Sequence, residues 1–191
     1  MNMKSLDNEP NDFNNEYLIC TKDYSMKQLV ITLLGEDRPG IVDSISETVL
    51  AHQGNWQASS MRHLAGLFAG ILEISVADDQ AEALKHQLAT LPGLQLTVQE
   101  GISAEKQAQR VTLSVTANDR HGIVQEVSST LNGLGANVLT LETRYESAPN
   151  WGQPLFKADV LVSLPNTIEL YQITEGLEAI ADDLMVDVES A

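Results

Sequence analysis

Two short stretches carry the polar residues best suited to chemistry. Gly-Glu-Asp-Arg-Pro-Gly-Ile-Val occupies residues 35–42, and Ala-Asn-Asp-Arg-His-Gly-Ile-Val occupies 117–124. In each, an acid and a guanidinium precede a glycine where an apolar strand hands over to a helix. The free N–H groups and the positive dipole end of a helix favour a carboxylate. A glycine lacks Cβ, so a ligand or a neighbouring backbone can approach it closely. The carboxylate of a small amino acid is therefore expected near the backbone of residues 39–42 and 121–124. Its ammonium is expected on backbone carbonyls or on a side chain of the adjoining module. The candidate ligand residues are Asp37, Arg38, Pro39, Gly40 and Ile41, and their counterparts Asp119, Arg120, His121, Gly122 and Ile123; Asn55 and Asn137 are weaker candidates. The same residues have plainer uses: the aspartates as helix caps or turn formers, the arginines as partners of nearby acids, the glycines as turn residues. His121 in place of Pro39 removes a rigid φ constraint, so two equivalent sites are not expected.

The rest of the chain offers little for catalysis or metal binding. Its four histidines, His52, His63, His86 and His121, form no short ligand spacing, and one cysteine, Cys20, cannot build a thiolate site. His52 falls on an apolar helical stripe, where a packed histidine is the expected role. Ser59-Ser60 and Ser128-Ser129 lack a nucleophile elbow or a Ser-x-x-Lys pattern. No glycine-rich phosphate loop is present. No metal, no cofactor and no enzyme activity are expected. Trp56 reads as core or interface. Trp151 lies in Pro149-Asn150-Trp151-Gly152, where an aromatic on a loop is a candidate anchor for a protein partner.

Charge narrows the partners. Eleven Lys and Arg face 27 Asp and Glu, for a net charge of −16. The excess acid is spread as −3, −5 and −8 over residues 1–25, 26–101 and 102–191. Gripping a phosphate backbone needs clustered Lys or Arg, so direct nucleic-acid binding is not expected. Solubility accounts for the acid, and so does attraction to a basic protein. No run approaches the ~20 apolar residues of a membrane helix. Residues 1–17 show neither the apolar core nor the cleavage site of a secretory signal. With a lone cysteine, the cytoplasm is the expected compartment.

An internal repeat must position the two loops. Asp37 and Asp119 are 82 residues apart (37 to 119), and so are Arg62 and Arg144 (62 to 144). Between these anchors Gly40/Gly122, Ile41/Ile123, Val42/Val124, Ser46/Ser128, Thr48/Thr130 and Asn55/Asn137 stay in register. Val111, Leu113 and Val115 alternate with Thr112, Ser114 and Thr116, the period of a half-buried strand. Ile41, Ile45, Val49 and His52 form one helical stripe; Ile123, Val127, Leu131 and Leu134 form its counterpart. Hairpins follow, with strands near 55–63 and 67–76, then 137–146 and 154–164. A second helix comes next in each copy. In the first, Asp78-Asp79 precedes it and Pro92-Gly93 ends it; in the second it is predicted from about 167 to 181. Final strands run over 94–100 and 184–189. The expected organisation is a poorly ordered tail (1–25, with Met26 as a possible true start), module 1 (26–101), a linker (102–108) and module 2 (109–191). The fold class is α+β: two tandem ferredoxin-like βαββαβ modules, each an antiparallel sheet with both helices on one face.

Asp-Arg-Pro-Gly-Ile-Val and Asp-Arg-His-Gly-Ile-Val, each between an apolar strand and a helix ending at Gly-Asn or Ala-Asn, resemble the ACT domain family. The resemblance covers residues 27–100 and 109–190. A chain of little more than two such modules is similar to the branch that represses the glycine cleavage operon. That resemblance implies a transcriptional regulator that senses a small amino acid, glycine foremost, and acts through a DNA-binding activator protein. The alternative it leaves is a regulatory subunit that senses an amino acid and controls a metabolic enzyme. A thin core with one bare sheet face also predicts a homodimer.

Overall fold

The computed structural model describes residues 25–102, 109–147 and 154–190. The expectations placed on the tail, on most of the linker and on Trp151 lie outside these residues. The chain divides into two compact units, Met1–Ser103 and Ala104–Ala191.

In the first unit, β1 (Met26–Glu36) leads to α1 (Ile41–Ala51), β2 (Asn55–Leu64), β3 (Leu67–Ala77), α2 (Asp78–Ala89) and β4 (Leu94–Glu100). The strands form one antiparallel sheet in the order β2-β3-β1-β4. Period-2 alternation turns Leu29, Ile31 and Leu33 of β1 and Leu72, Ile74 and Val76 of β3 to one face. There they meet Ile41, Ile45 and Val49 of α1 and Ala81, Leu84 and Leu88 of α2; all twelve are buried in one cluster. Val30, Leu34 and Ile71 lie outside that cluster, and the last two are exposed. The β2–β3 turn falls at Ala65-Gly66, both with positive φ; this is the geometry that matches the twist of a two-residue hairpin.

The second unit repeats the pattern. Here β5 (Gln109–Asn118), α3 (Ile123–Gly133), β6 (Asn137–Ser147), β7 (Pro154–Leu164), α4 (Leu170–Glu178) and β8 (Met185–Ser190) form a sheet in the order β6-β7-β5-β8. Val111, Leu113 and Val115 face Ile123, Val127 and Leu131 of α3 and Ile173 and Leu177 of α4. The repeat extends to irregularities: the register shift between Trp56 and Ala58 in β2 recurs between Val138 and Thr140 in β6. Each such bulge bends an edge strand.

Two helix boundaries differ from the sequence reading. Asp78 and Asp79 form the first turn of α2 rather than preceding it, because Ala77 takes the extended cap position. Acids are favourable there, next to the helix dipole. The last helix is shorter than 167–181, and starts where the Glu169 N–H donates to Gln172 Oε1 at 2.9 Å. That bond satisfies one donor that the helix start leaves free. His52 is half-buried at the α1 C-terminus, with Nδ1 2.9 Å from the Thr48 carbonyl. Trp56 packs on the first core.

On β5–β7 the polar face carries a charge ladder. Arg144 donates to Asp159 Oδ2 at 2.5 Å and to Glu146 Oε1 at 3.1 Å, while Lys157 lies 2.8 Å from Glu146 Oε2. The Arg144 hydrogen bond, followed by one from Ser114, holds the Asp159 carboxyl below the usual range. Lys157 is the main cause of the same shift at Glu146. A depressed folded-state pKa contributes stability that is present above the unfolded value, roughly 4, and is lost as pH falls through that value and below. Melting temperature followed from pH 6 to pH 3 should therefore fall less steeply for Asp159→Asn than for the wild type. Identical slopes would remove Asp159 from the acid response.

Candidate functional site: two strand-to-helix loops

Asp37–Gly40 joins β1 to α1, and Asp119–Gly122 joins β5 to α3. Gly40 and Gly122 stand at the helix caps with φ of 88° and 89°, in the left-handed region. A Cβ at either would meet nothing within 4 Å. Backbone conformation, not crowding by a neighbouring chain segment, is what calls for glycine here. The space above both glycines is open.

The first intrahelical bonds run from Ser44 N–H to Gly40 O (2.9 Å) and from Glu126 N–H to Gly122 O (3.0 Å). The preceding amides, 41–43 and 123–125, have no intrahelical acceptor, and no side chain caps either helix. Asp37 and Asp119 are thus not caps. Their own backbone N–H groups donate to Gly66 O at 3.0 Å and Pro154 O at 2.9 Å, tying each loop to the neighbouring hairpin. The Asp37 carboxylate lies 3.8 Å from His63 Nε2. Ile41 and Ile123 are buried, so only their backbones are available at the loop. Pro39 and His121 are both exposed, and the glycine after each keeps the same φ. The turn does not depend on the proline.

Asn55 and Asn137 begin β2 and β6, beyond the other end of α1 and α3. An 11-residue helix spans about 16 Å at ~1.5 Å per residue. Within a module, these asparagines are not brought together with the loop.

The two arginines differ. Arg120 makes a fork with Glu126: Nη1 donates to Oε1 at 2.9 Å, and Nη2 pairs with Oε2. Glu126 is the main cause that raises the Arg120 pKa, and in return its own carboxyl is held low by Arg120. The Asp183 charge adds to the rise at Arg120, and Asp183 Oδ2 also accepts the Asn118 N–H at 2.9 Å. Among the described residues Arg38 donates only Nη2, to the Pro92 carbonyl at 2.8 Å, and makes no ion pair. It borders a cleft of about 520 Å³ with Glu36, Leu67, Gly93 and Leu94. The cleft floor is tight: a Cβ on Gly35 would lie 2.4 Å from Gly93 O.

The sequence reading did not identify Glu36 and Gly93; it offered pairing with nearby acids for both arginines, and among the described residues only Arg120 does this, with Glu126. One signal was available: the repeat breaks at Ser44/Glu126, six residues after each arginine. No helix among the described residues is long and apolar enough to cross a membrane. Among the same residues, no group of three or more His, Cys, Asp or Glu is placed to hold a metal ion.

The model of the ACT domain matches residues 27–99. A UPF0237 protein from Methanopyrus kandleri is 37% identical over 65 residues, which span 33% of this chain and 72% of that protein. The chain belongs to the ACT domain family. A crystal structure of an unknown protein from Galdieria sulphuraria superposes with a TM-score of 0.73 at 28% identity, covering 87% of this ACT-domain chain and 99% of that one. A second crystal structure, of a protein named as a candidate glycine cleavage system transcriptional repressor, gives a TM-score of 0.61 at 18% identity with the same coverage. Both extend the likeness across the tandem modules. This ACT-domain chain therefore has a regulatory fold of a typically non-catalytic family, whose domains bind amino acids and often dimerise.

Proposed function

We propose that this ACT-domain protein is a cytoplasmic, amino-acid-responsive transcriptional regulator that acts through a DNA-binding partner protein. Glycine is the first ligand to consider, and the glycine cleavage operon is the first target. The observation that carries this reading is the pair of exposed, uncapped helix starts, each beside an arginine and an open left-handed glycine. Backbone donors with no internal acceptor suit a carboxylate, and the helix dipole adds to the attraction. The candidate site residues are Asp37 to Ile41 and Asp119 to Ile123. Asn55 and Asn137 would contribute only across an interface with a second copy of the chain.

A net charge of −16 suits a protein that leaves DNA contact to its partner. The likeness in fold to the candidate glycine cleavage system transcriptional repressor covers both modules and is the reason to take that operon as the first target. Trp151 and the acidic second module are the surfaces assigned to the partner. Two copies of the chain form the working unit.

An electrophoretic mobility assay on glycine cleavage operon DNA tests the reading. The chain alone should leave the DNA unshifted. Added to the operon's DNA-binding activator it should change the activator–DNA band, and glycine should reverse the change. A direct shift by the chain alone, or an activator band insensitive to it, overturns the proposal.

A further inference from the structure

We propose that only the first module takes the amino acid, at the Arg38 cleft, and that the residue six positions after each arginine, Ser44 or Glu126, decides this. The inference rests on the reading above that the chain binds a small amino acid. It adds which repeat does so, through which side chains, and with what stoichiometry.

The two loops share their backbone: the cap glycines have φ of 88° and 89°, and both helices start uncapped. Their electrostatics are opposite. In module 2 the guanidinium fork is filled by Glu126, and Asp183 adds a second negative charge nearby. An incoming carboxylate would have to displace an intramolecular carboxylate already held at high effective concentration. Bidentate arginine–carboxylate pairs are among the stronger hydrogen-bonded contacts, so that exchange is unfavourable for a small ligand. In module 1 the equivalent position is Ser44, whose hydroxyl turns back to the Ile41 carbonyl at 2.9 Å. Arg38 keeps its Nε and Nη1 donors for a ligand, with Nη2 anchored on Pro92 O.

The cleft around Arg38 also has the second half of a zwitterion's complement. Glu36 borders it, and the matching position in β5 is the neutral Asn118. A guanidinium for the carboxylate and a carboxylate for the ammonium fit an α-amino acid better than a simple anion. Leu67, Leu94 and the close Gly35–Gly93 approach leave apolar walls and a tight floor. Asp43, the acid on the first turn of α1, borders a different groove with Glu47, Leu50 and Trp56.

Isothermal titration of the full chain with glycine, then serine and alanine, reads the stoichiometry. The wild type should bind one molecule per chain. Ser44→Glu should build in module 1 the pair seen in module 2 and weaken binding by ~10-fold or more, the scale of a lost charged hydrogen bond. Arg38→Gln should do the same without adding an acid. Glu126→Ser should release Arg120 and raise the stoichiometry to two. A wild type that binds two molecules, a Ser44→Glu protein that binds as the wild type does, or a Glu126→Ser protein that stays at one overturns this inference alone. A wild type that binds none of the three overturns it together with the reading on which it rests.

Discussion

Gly40→Asp is expected to abolish glycine binding while leaving a folded protein. The substitution adds a carboxylate beside the amides of residues 41–43, which have no intrahelical acceptor. The new side chain would occupy the open space over the loop and repel a ligand carboxylate. It also places a Cβ at a φ of 88°, which costs about 1–2 kcal/mol for an L-residue. Gly40→Ala separates the two effects, since it carries the backbone cost without the charge. Titration should show binding lost in Gly40→Asp and largely kept in Gly40→Ala. Gly122→Asp should lower the melting temperature to a similar extent, yet leave binding intact, because Arg120 is already taken by Glu126. A folded Gly40→Asp protein with unchanged affinity would remove the α1 loop from the site.

The largest loss of stability is expected from Ile45→Ala. Ile45 is fully buried between α1 and the sheet, in the same cluster as Leu29, Ile31, Leu72 and Leu84. Truncation to alanine removes three carbons of buried side chain and leaves a cavity that packed neighbours fill only in part. Such changes cost about 2–5 kcal/mol, a large part of the ~5–15 kcal/mol that stabilises a typical domain. Val127 is the module 2 counterpart, and Val127→Ala removes less side chain. Its cost should be smaller. Denaturant unfolding measures the total, and hydrogen exchange of peptides from residues 26–101 localises it. A cost under about 1 kcal/mol for Ile45→Ala would mean that the α1–sheet contact contributes little to the first core.

Most of the fold was legible because its determinants are local and periodic. Alternation at 111–116, the stripe at 41, 45 and 49, and the repeat offset between residues 37 and 119 each follow from one-dimensional patterns that a sheet or helix converts directly into burial. The strand order and the single helix-covered face follow from the βαββαβ order. Helix ends were less legible. The start of α4 depends on one backbone-to-side-chain bond, Glu169 to Gln172, and the start of α2 on the extended conformation of Ala77. Such choices involve small free-energy differences that periodicity does not encode.

At the candidate site, sequence by itself determined the two loops, their glycines and their place before a helix. Residue type and chain order decide these things: glycine is the residue for which a left-handed cap is inexpensive. Only the tertiary structure decided what each side chain is free to do. Asp37 and Asp119 could have been caps, yet their amides tie to Gly66 and Pro154, in hairpins far along the chain. Asn55 and Asn137 follow the same helices in sequence but lie a helix length from the loops. Arg38 and Arg120 occupy identical positions in the repeat. One reaches a carbonyl 54 residues away, and the other closes on a carboxylate six residues away. Side-chain pairing depends on which groups the folded backbone brings within about 3 Å, and a direction in space is not a property of any local stretch of sequence.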